Sequence, residues 1–270
     1  MSGFLHRRAL MTLAGAALAA PALARGQGRG VIGAYYERLR QRVGDAGGGR
    51  FLEPTEDALL GEHNTFRAGQ SLRPLRRSAA LDAAARAHAA DMAERRYFAH
   101  EAPEGFSSVE RVGLLARRFV GLAGENLVEV EGGPPAHADE LARLWRGSAG
   151  HRANMLRPNY SHVGFGVVRK GDRTVAAAAF GETFAELPEP LAFRVGDIAS
   201  VGQIIGADSP VRGFALAPVG GGRTLGPFWL EDPPPRIEVA GAFSIKPYLA
   251  DAEVRGRYVI VDGPIIEADG

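Results

Sequence analysis

Between residues 55 and 184 the apolar period changes from helical to alternating after Trp145, and that change restricts the folds open to the chain. Up to Trp145 apolar positions recur at helical spacing. Leu59, His63 and Phe66 follow Thr55, which is expected to cap their helix. Leu81, Ala85, His88 and Met92 follow Ser78, the expected cap of a second. Ser107-Ser108-Val109-Glu110 has the form of a capping box. Pro134 and Pro135 are expected to open a further helix through Leu141, Leu144 and Trp145. The period then falls to two: Val163, Phe165 and Val167 alternate with Gly164 and Gly166. RKGDR supplies a turn, and Thr174 to Phe184 reads as the returning strand. Several helices followed by a hairpin predict an α+β domain over 53–185, with helices packed on a small antiparallel sheet.

The flanks differ in character. Residues 1–24 combine Arg7 and Arg8, an apolar run from Ala9 to Ala20, and Ala22-Leu23-Ala24 as a cleavage site. This is the pattern of a secretory signal peptide, too short and wrongly flanked for a membrane span; the paired arginines suggest the twin-arginine route. Residues 25–52 carry a net charge of +4 and hold one short amphipathic segment, IGAYYERLRQRV, read as a docked helix or linker. Residues 186–270 hold 12 acidic and 7 basic residues, no histidine, and β-like runs such as FRVGDIASVGQII and GRYVIVDG between turn clusters. They read as a second, small all-β domain with no chemical motif.

Charge and cysteine content narrow the function classes. Loss of the leader takes the net charge from +1 to −1, which gives no general reason to expect nucleic acid or an anionic membrane as partner. Lysine occurs only at Lys170 and Lys246, so arginine carries nearly all the positive charge. The chain has no cysteine, which rules out disulfides, thiolate-bound zinc and a cysteine nucleophile. On that basis an exported chain must stand on its hydrophobic core alone, and any metal must use histidine and carboxylate.

Apart from His6, every histidine lies between His63 and His162. His63 and His88 fall on apolar helix stripes and read as hydrogen-bonded core residues. His137 reads as solvent-facing, and nothing decides His162. His100 and His151 lie outside obvious stripes, and Glu125 follows a glycine ahead of a short strand. Two imidazoles and a carboxylate on loops suit either a Zn²⁺ site with an open position or acid–base work around a water. Each residue could equally brace its loop by hydrogen bonding to backbone, as Asn126 and Asn154 are expected to do.

The ordered words HNTFR at 63–67, HAADM at 88–92, YFAH at 97–100, GENL at 124–127, and W-x-x-S-x-G-H-R-x-N-M-L at 145–156 followed by YSHVGFG resemble the CAP superfamily. That group comprises the cysteine-rich secretory, antigen 5 and pathogenesis-related-1 proteins, and residues 55–184 are most similar to its bacterial branch. The resemblance implies an α-β-α sandwich, export, and a central cavity able to hold a divalent metal such as Zn²⁺. It carries His100, Glu125 and His151 onto cavity positions. Ser148 stands where eukaryotic members have a glutamate, so one charged ligand is missing.

The function expected is therefore a binding module of the periplasm, envelope or exterior, its cavity taking a metal, a lipid, a protein or a wall component. A structural role for the C-terminal domain and a metal-assisted hydrolase, with Glu125 as base, are the alternatives. No nucleic acid and no transmembrane span are expected.

Overall fold

The computed structural model describes residues 8–10, 29–206, 209–233 and 237–269. The chain divides into two compact units. Of the described residues, one is built from 8–10, 37–108 and 123–182, the other from 29–36, 109–122 and those from 183 onward. In chain order the elements are β1 (Arg8–Leu10), α1 (Arg29–Gly44), β2 (Arg50–Phe51), α2 (Glu53–Ala68), β3 (Arg76–Arg77) and α3 (Ala79–Arg95). Then come α4 (Ser108–Leu115), β4 (Phe119–Glu131), α5 (Ala138–Gly147), α6 (Ala149–Met155), β5 (His162–Lys170) and β6 (Arg173–Glu186). The second unit continues with β7 (Arg194–Val195), α7 (Ile198–Gly206), β8 (Val211–Pro218), β9 (Leu225–Trp229), β10 (Ala240–Ala250), β11 (Tyr258–Ile260) and β12 (Ile265–Asp269).

The first unit is a mixed helix-and-sheet sandwich. Its sheet runs β1-β4-β6-β5-β2, with β3 also on β5, and the hairpin expected from RKGDR joins β5 and β6. Of the expected leader only Arg8–Leu10 is described, paired with Glu129–Glu131 of β4; Arg7 and the Ala22-Leu23-Ala24 cleavage site lie outside the described residues.

The period-two pattern of β5 explains both faces of this sheet. Val163, Phe165 and Val167 point into a core shared with Leu59, Leu141, Trp145, Met155 and Phe180, beneath α2 and α5. Gly164 and Gly166 point the other way, where α3 closes on the strand. A Cβ on Gly164 would lie 2.1 Å from the Asp82 backbone nitrogen, and one on Gly166 2.3 Å from that of Arg86. The alanines of α3 are the helix half of the same fit, since short side chains let backbones approach.

Among the described residues no strand neighbours the edge of β5 between β3 and β2, and its backbone groups are satisfied by side chains and loop ends. Asp82 Oδ1 accepts from Phe165 N at 2.7 Å and Glu56 Oε1 from Val167 N at 2.9 Å. Leu52 N and Ser78 N donate to the carbonyls of Val167 and Val163. Burial raises the Glu56 pKa against the pull of Arg86, which donates to its other oxygen at 2.5 Å.

Local signals set most helix ends. Ser78 caps α3, accepting from Leu81 N, and α4 begins at Ser108 within its capping box. Two expectations move. The α2 helix starts at Glu53 rather than behind Thr55, with proline in its first turn, and α5 starts at Ala138 behind His137, not at the prolines. His137 is exposed, as expected.

His63 is a core residue. It is fully buried, its Nδ1 lies 2.8 Å from the Leu59 carbonyl, and its ring sits 5.0 Å from Phe165 and 5.5 Å from Trp145. Burial lowers its pKa from 6.5 to about 4. Between those values the unfolded chain takes up a proton that the folded chain refuses. The stability held above pH 6.5 is therefore lost as the pH falls to about 4, by roughly 3 kcal/mol in all. Urea midpoints followed by Trp145 fluorescence in a Trp229→Phe background should show this loss, and His63→Leu should flatten it. An unchanged slope in the variant would place the titrating group elsewhere.

In the second unit the sheet runs β7-β12-β10-β8-β9, with β11 on β10. Its core gathers Val120, Leu187, Val201, Ile205, Phe214, Ile245 and Ile266. This sheet-rich region is not all-β. IASVGQII, read as part of a β-like run, forms α7, because Ile198, Val201 and Ile205 recur at helical spacing and the Asp197 carboxylate accepts from Ser200 N.

Apolar packing is not the only support of this disulfide-free chain. In the first unit the buried Arg67 guanidinium donates to the carbonyls of Arg73, Met155 and Arg157. In the second, Arg117 donates to those of Leu191, Gly113, Ile265 and Ala192, and burial lowers its pKa to about 10. A guanidinium has five donors in a fixed fork, so one side chain ties several loop carbonyls together.

Candidate functional site

The strand β4 is longer than expected, and Glu125 sits in its middle rather than ahead of it. Its side chain is 4% exposed and lies between two imidazoles: Oε1 is 2.8 Å from His88 Nδ1, and Oε2 is 2.8 Å from His100 Nδ1. As a carboxylate Glu125 only accepts; in that state each Nδ1 carries the proton of its imidazole, and both Nε2 atoms face away from Glu125. His88 is fully buried on α3, whereas the His100 side chain is 20% exposed. His100 lies in the loop that follows the left-handed Arg96 (φ 56°) at the end of α3.

His88 is the site residue that the sequence hid. Its place on the apolar stripe of α3 is correct, but its polar edge meets a carboxylate 37 positions away. Helical spacing reports which face a residue occupies and says nothing of a partner on a distant strand. The HAADM word was the one sequence signal that included it.

His151 is also buried, and it lies within α6 rather than on a loop. Asn126, next to Glu125, fastens that helix: its Nδ2 donates to the His151 carbonyl at 2.9 Å. Asn154 Nδ2 donates to the Glu125 carbonyl at 3.1 Å and to Asn126 Oδ1 at 2.9 Å. The two asparagines thus brace backbone as expected, and they hold α6 against the Glu125 segment of β4. Ser148 is the N-cap of α6, half-buried, with no capping bond from its side chain.

Gly124 contributes space. A Cβ there would lie 2.0 Å from the Tyr160 hydroxyl, so the glycine of GENL makes room for that ring, which stacks on Phe180 at 5.3 Å. His162, at the start of β5, pairs through Nδ1 with Ser161 Oγ at 2.9 Å.

A cleft of about 440 Å³ opens at the end of α3, lined by Arg96, Tyr97, Phe98, Glu129, Lys170 and Arg173 among others. Tyr97 links it to the cluster, its ring 6.1 Å from that of His88 and its hydroxyl donating to the buried Asp91 at 2.7 Å. His100, Glu125 and His151 are not among the residues that line this cleft.

The family model of CAP, the cysteine-rich secretory protein family, matches residues 60–183. Over residues 60–183 the chain carries a CAP domain. The Bacillus subtilis protein YkwD is 34% identical over 111 residues, 40% of this chain and 40% of its own length. The chain therefore spans well under half of that relative. Among solved structures, an outer surface protein of Borrelia burgdorferi is 17% identical, with a TM-score of 0.44, covering 50% of this chain and 98% of that one. An extracellular SCP-domain protein of Bacillus anthracis is 25% identical, with a TM-score of 0.39, covering 48% and 40% respectively.

The donor set can be tested against the metal that the family resemblance implies. Both Glu125 oxygens accept imidazole N–H groups, so the residue does not fit the role of a direct ligand. It fits that of the carboxylate that orients a ligating histidine through Nδ1. Among the described residues no group of three or more His, Asp or Glu side chains is placed to hold one ion.

Proposed function

We propose that the protein is a binding module that works outside the cytoplasm, with its ligand held at the Glu125-clamped histidines and the adjoining cleft. The observation that carries this reading is the clamp itself. A buried carboxylate fixes two imidazoles in one tautomer, at some cost in burial, and thereby aims the partly exposed His100. Such preorganisation suits a group that must hold something. A divalent ion, if taken, would rest on His100 and His151, with Glu125 orienting the first. The family's description as secretory, the extracellular relative and the leader pattern of residues 1–24 support export. Among the described residues, no helix is long and apolar enough to cross a membrane. The geometry gives less support to a metal-assisted hydrolase, because a carboxylate accepting two N–H bonds is poorly placed to take a proton from water.

The test is Zn²⁺ calorimetry on residues 25–270, beside His100→Ala and Glu125→Gln. One Zn²⁺ should bind the natural chain, none should bind His100→Ala, and Glu125→Gln should bind it about 10- to 100-fold more weakly, as loss of an orienting partner does. No uptake by the natural chain would overturn the metal part. Equal uptake by natural chain and His100→Ala would move the site elsewhere.

A further inference from the structure

The second unit carries a surface that the CAP domain does not explain. In its sheet the residues of β10 alternate: Phe243, Ile245 and Leu249 enter the core, while Ser244, Lys246 and Tyr248 stand on the outer face. The register aligns one lateral row across four strands on that outer face. Trp229 of β9 lies opposite Gly213 of β8, Gly213 opposite Tyr248 of β10, and Tyr248 opposite Ile260 of β11. Gly213 is needed in this row, since a Cβ there would meet the Trp229 ring at 2.7 Å. The indole thus lies across the glycine towards Tyr248, with ring centroids 5.6 Å apart, and Tyr258 closes the group at 4.8 Å from Trp229. Tyr258 is 39% exposed and Ile260 53%.

Beside the aromatic group lies a groove of about 420 Å³. Ala215 and Ala217 form its floor, Tyr248 and Ile260 line it, and Thr224 and the Lys246–Asp262 ion pair supply its polar groups. Soluble proteins seldom leave clustered aromatic and aliphatic side chains in water without a use.

We propose that this outer face is a binding site for neutral glycan. A pyranose ring has an apolar C–H face and a rim of hydroxyls. Tyr and Trp side chains match such a ligand, being apolar in body and polar at the tip. The groove adds hydroxyl-bonding groups of both kinds. Its charge complementarity selects against the other occupants. Lys246 is neutralised by Asp262, so the groove offers no net charge to an anionic ligand. A hydrocarbon chain laid there would strip water from that ion pair with nothing to replace it, a large cost. A neutral polyhydroxylated chain replaces those water contacts.

The chain reports its own occupancy. It has two tryptophans, and Trp145 is fully buried in the core of the other unit, so a ligand-dependent change in emission belongs to Trp229. Residues 25–270 would be titrated with the hexasaccharides of β-1,4-glucose, α-1,4-glucose and β-1,4-N-acetylglucosamine, and with decanoate as the hydrocarbon probe. At least one hexasaccharide should give a saturable shift, and Tyr258→Ala and Ile260→Ser should each weaken it tenfold or more with unchanged thermal melting. A response to decanoate alone would overturn the proposal in favour of lipid. So would the absence of saturation with all three sugars, or equal affinity in both variants.

Discussion

Gly166→Ala is expected to destabilise the CAP domain by about 3 kcal/mol, at the upper end of what overpacking costs. The added methyl would sit 2.3 Å from the Arg86 backbone nitrogen and 2.4 Å from the Ala85 carbonyl carbon. Neither atom belongs to a side chain that can turn aside. Relief requires α3 to lift from β5, and with it Asp82, whose carboxylate satisfies Phe165 N. A melting temperature lower by about 6–12 °C corresponds to that energy in a chain of this size. The control is Gly61→Ala on the exposed side of α2, where an added Cβ meets nothing within 4 Å. There the melting temperature should rise, since alanine favours the helix by up to about 1 kcal/mol. Equal melting of Gly166→Ala and the natural chain would mean that α3 does not lie this close to the strand.

Glu125→Ala should cost a similar amount, about 3 kcal/mol, for a different reason. It leaves the buried His88 and the partly buried His100 without the acceptor that both Nδ1–H groups use, and each bond to a charged acceptor contributes more than a neutral one. Glu125→Gln keeps one oxygen. One imidazole can still donate to it, while the other must accept from the amide and shift its proton to Nε2. The loss in stability should fall to about 1 kcal/mol. Nitrogen NMR of the imidazoles is the decisive reading, because stability alone does not separate orientation from packing. The natural chain should show both histidines protonated at Nδ1, and Glu125→Gln should show one of them protonated at Nε2. Two unchanged tautomers in that variant would remove Glu125 from the role of orienting group.

The sequence was informative where a local signal and a buried face coincide. Ser78 caps α3 because its hydroxyl meets an amide three positions on, and the hairpin follows from alternation around Gly171 and Asp172. Helix starts near proline were misplaced. Pro54 enters the first turn of α2 and so moves that start ahead of Thr55, whereas the start of α5 falls three residues past Pro135. The α7 helix was missed because Ile and Val favour strands intrinsically, and only their burial at 198, 201 and 205 reveals the helical period. The candidate site was half legible. Loop position and family words singled out His100, Glu125 and His151, but the pairing of Glu125 with His88 depends on where α3 lies against β4. No spacing within α3 records that.

The closed margin of β5 bears on how copies of this chain behave towards one another. A bare strand edge is a template, and a second chain can add to it through the same N–H and C=O groups that build a sheet. Here Glu56 and Asp82 occupy the outward N–H groups of Val167 and Phe165, and the amides of Leu52 and Ser78 occupy outward carbonyls. A strand arriving from a neighbouring molecule finds those groups already taken, and two carboxylates in its path. For a chain with no disulfide to hold it closed, that margin is a safeguard against clumping at high concentration.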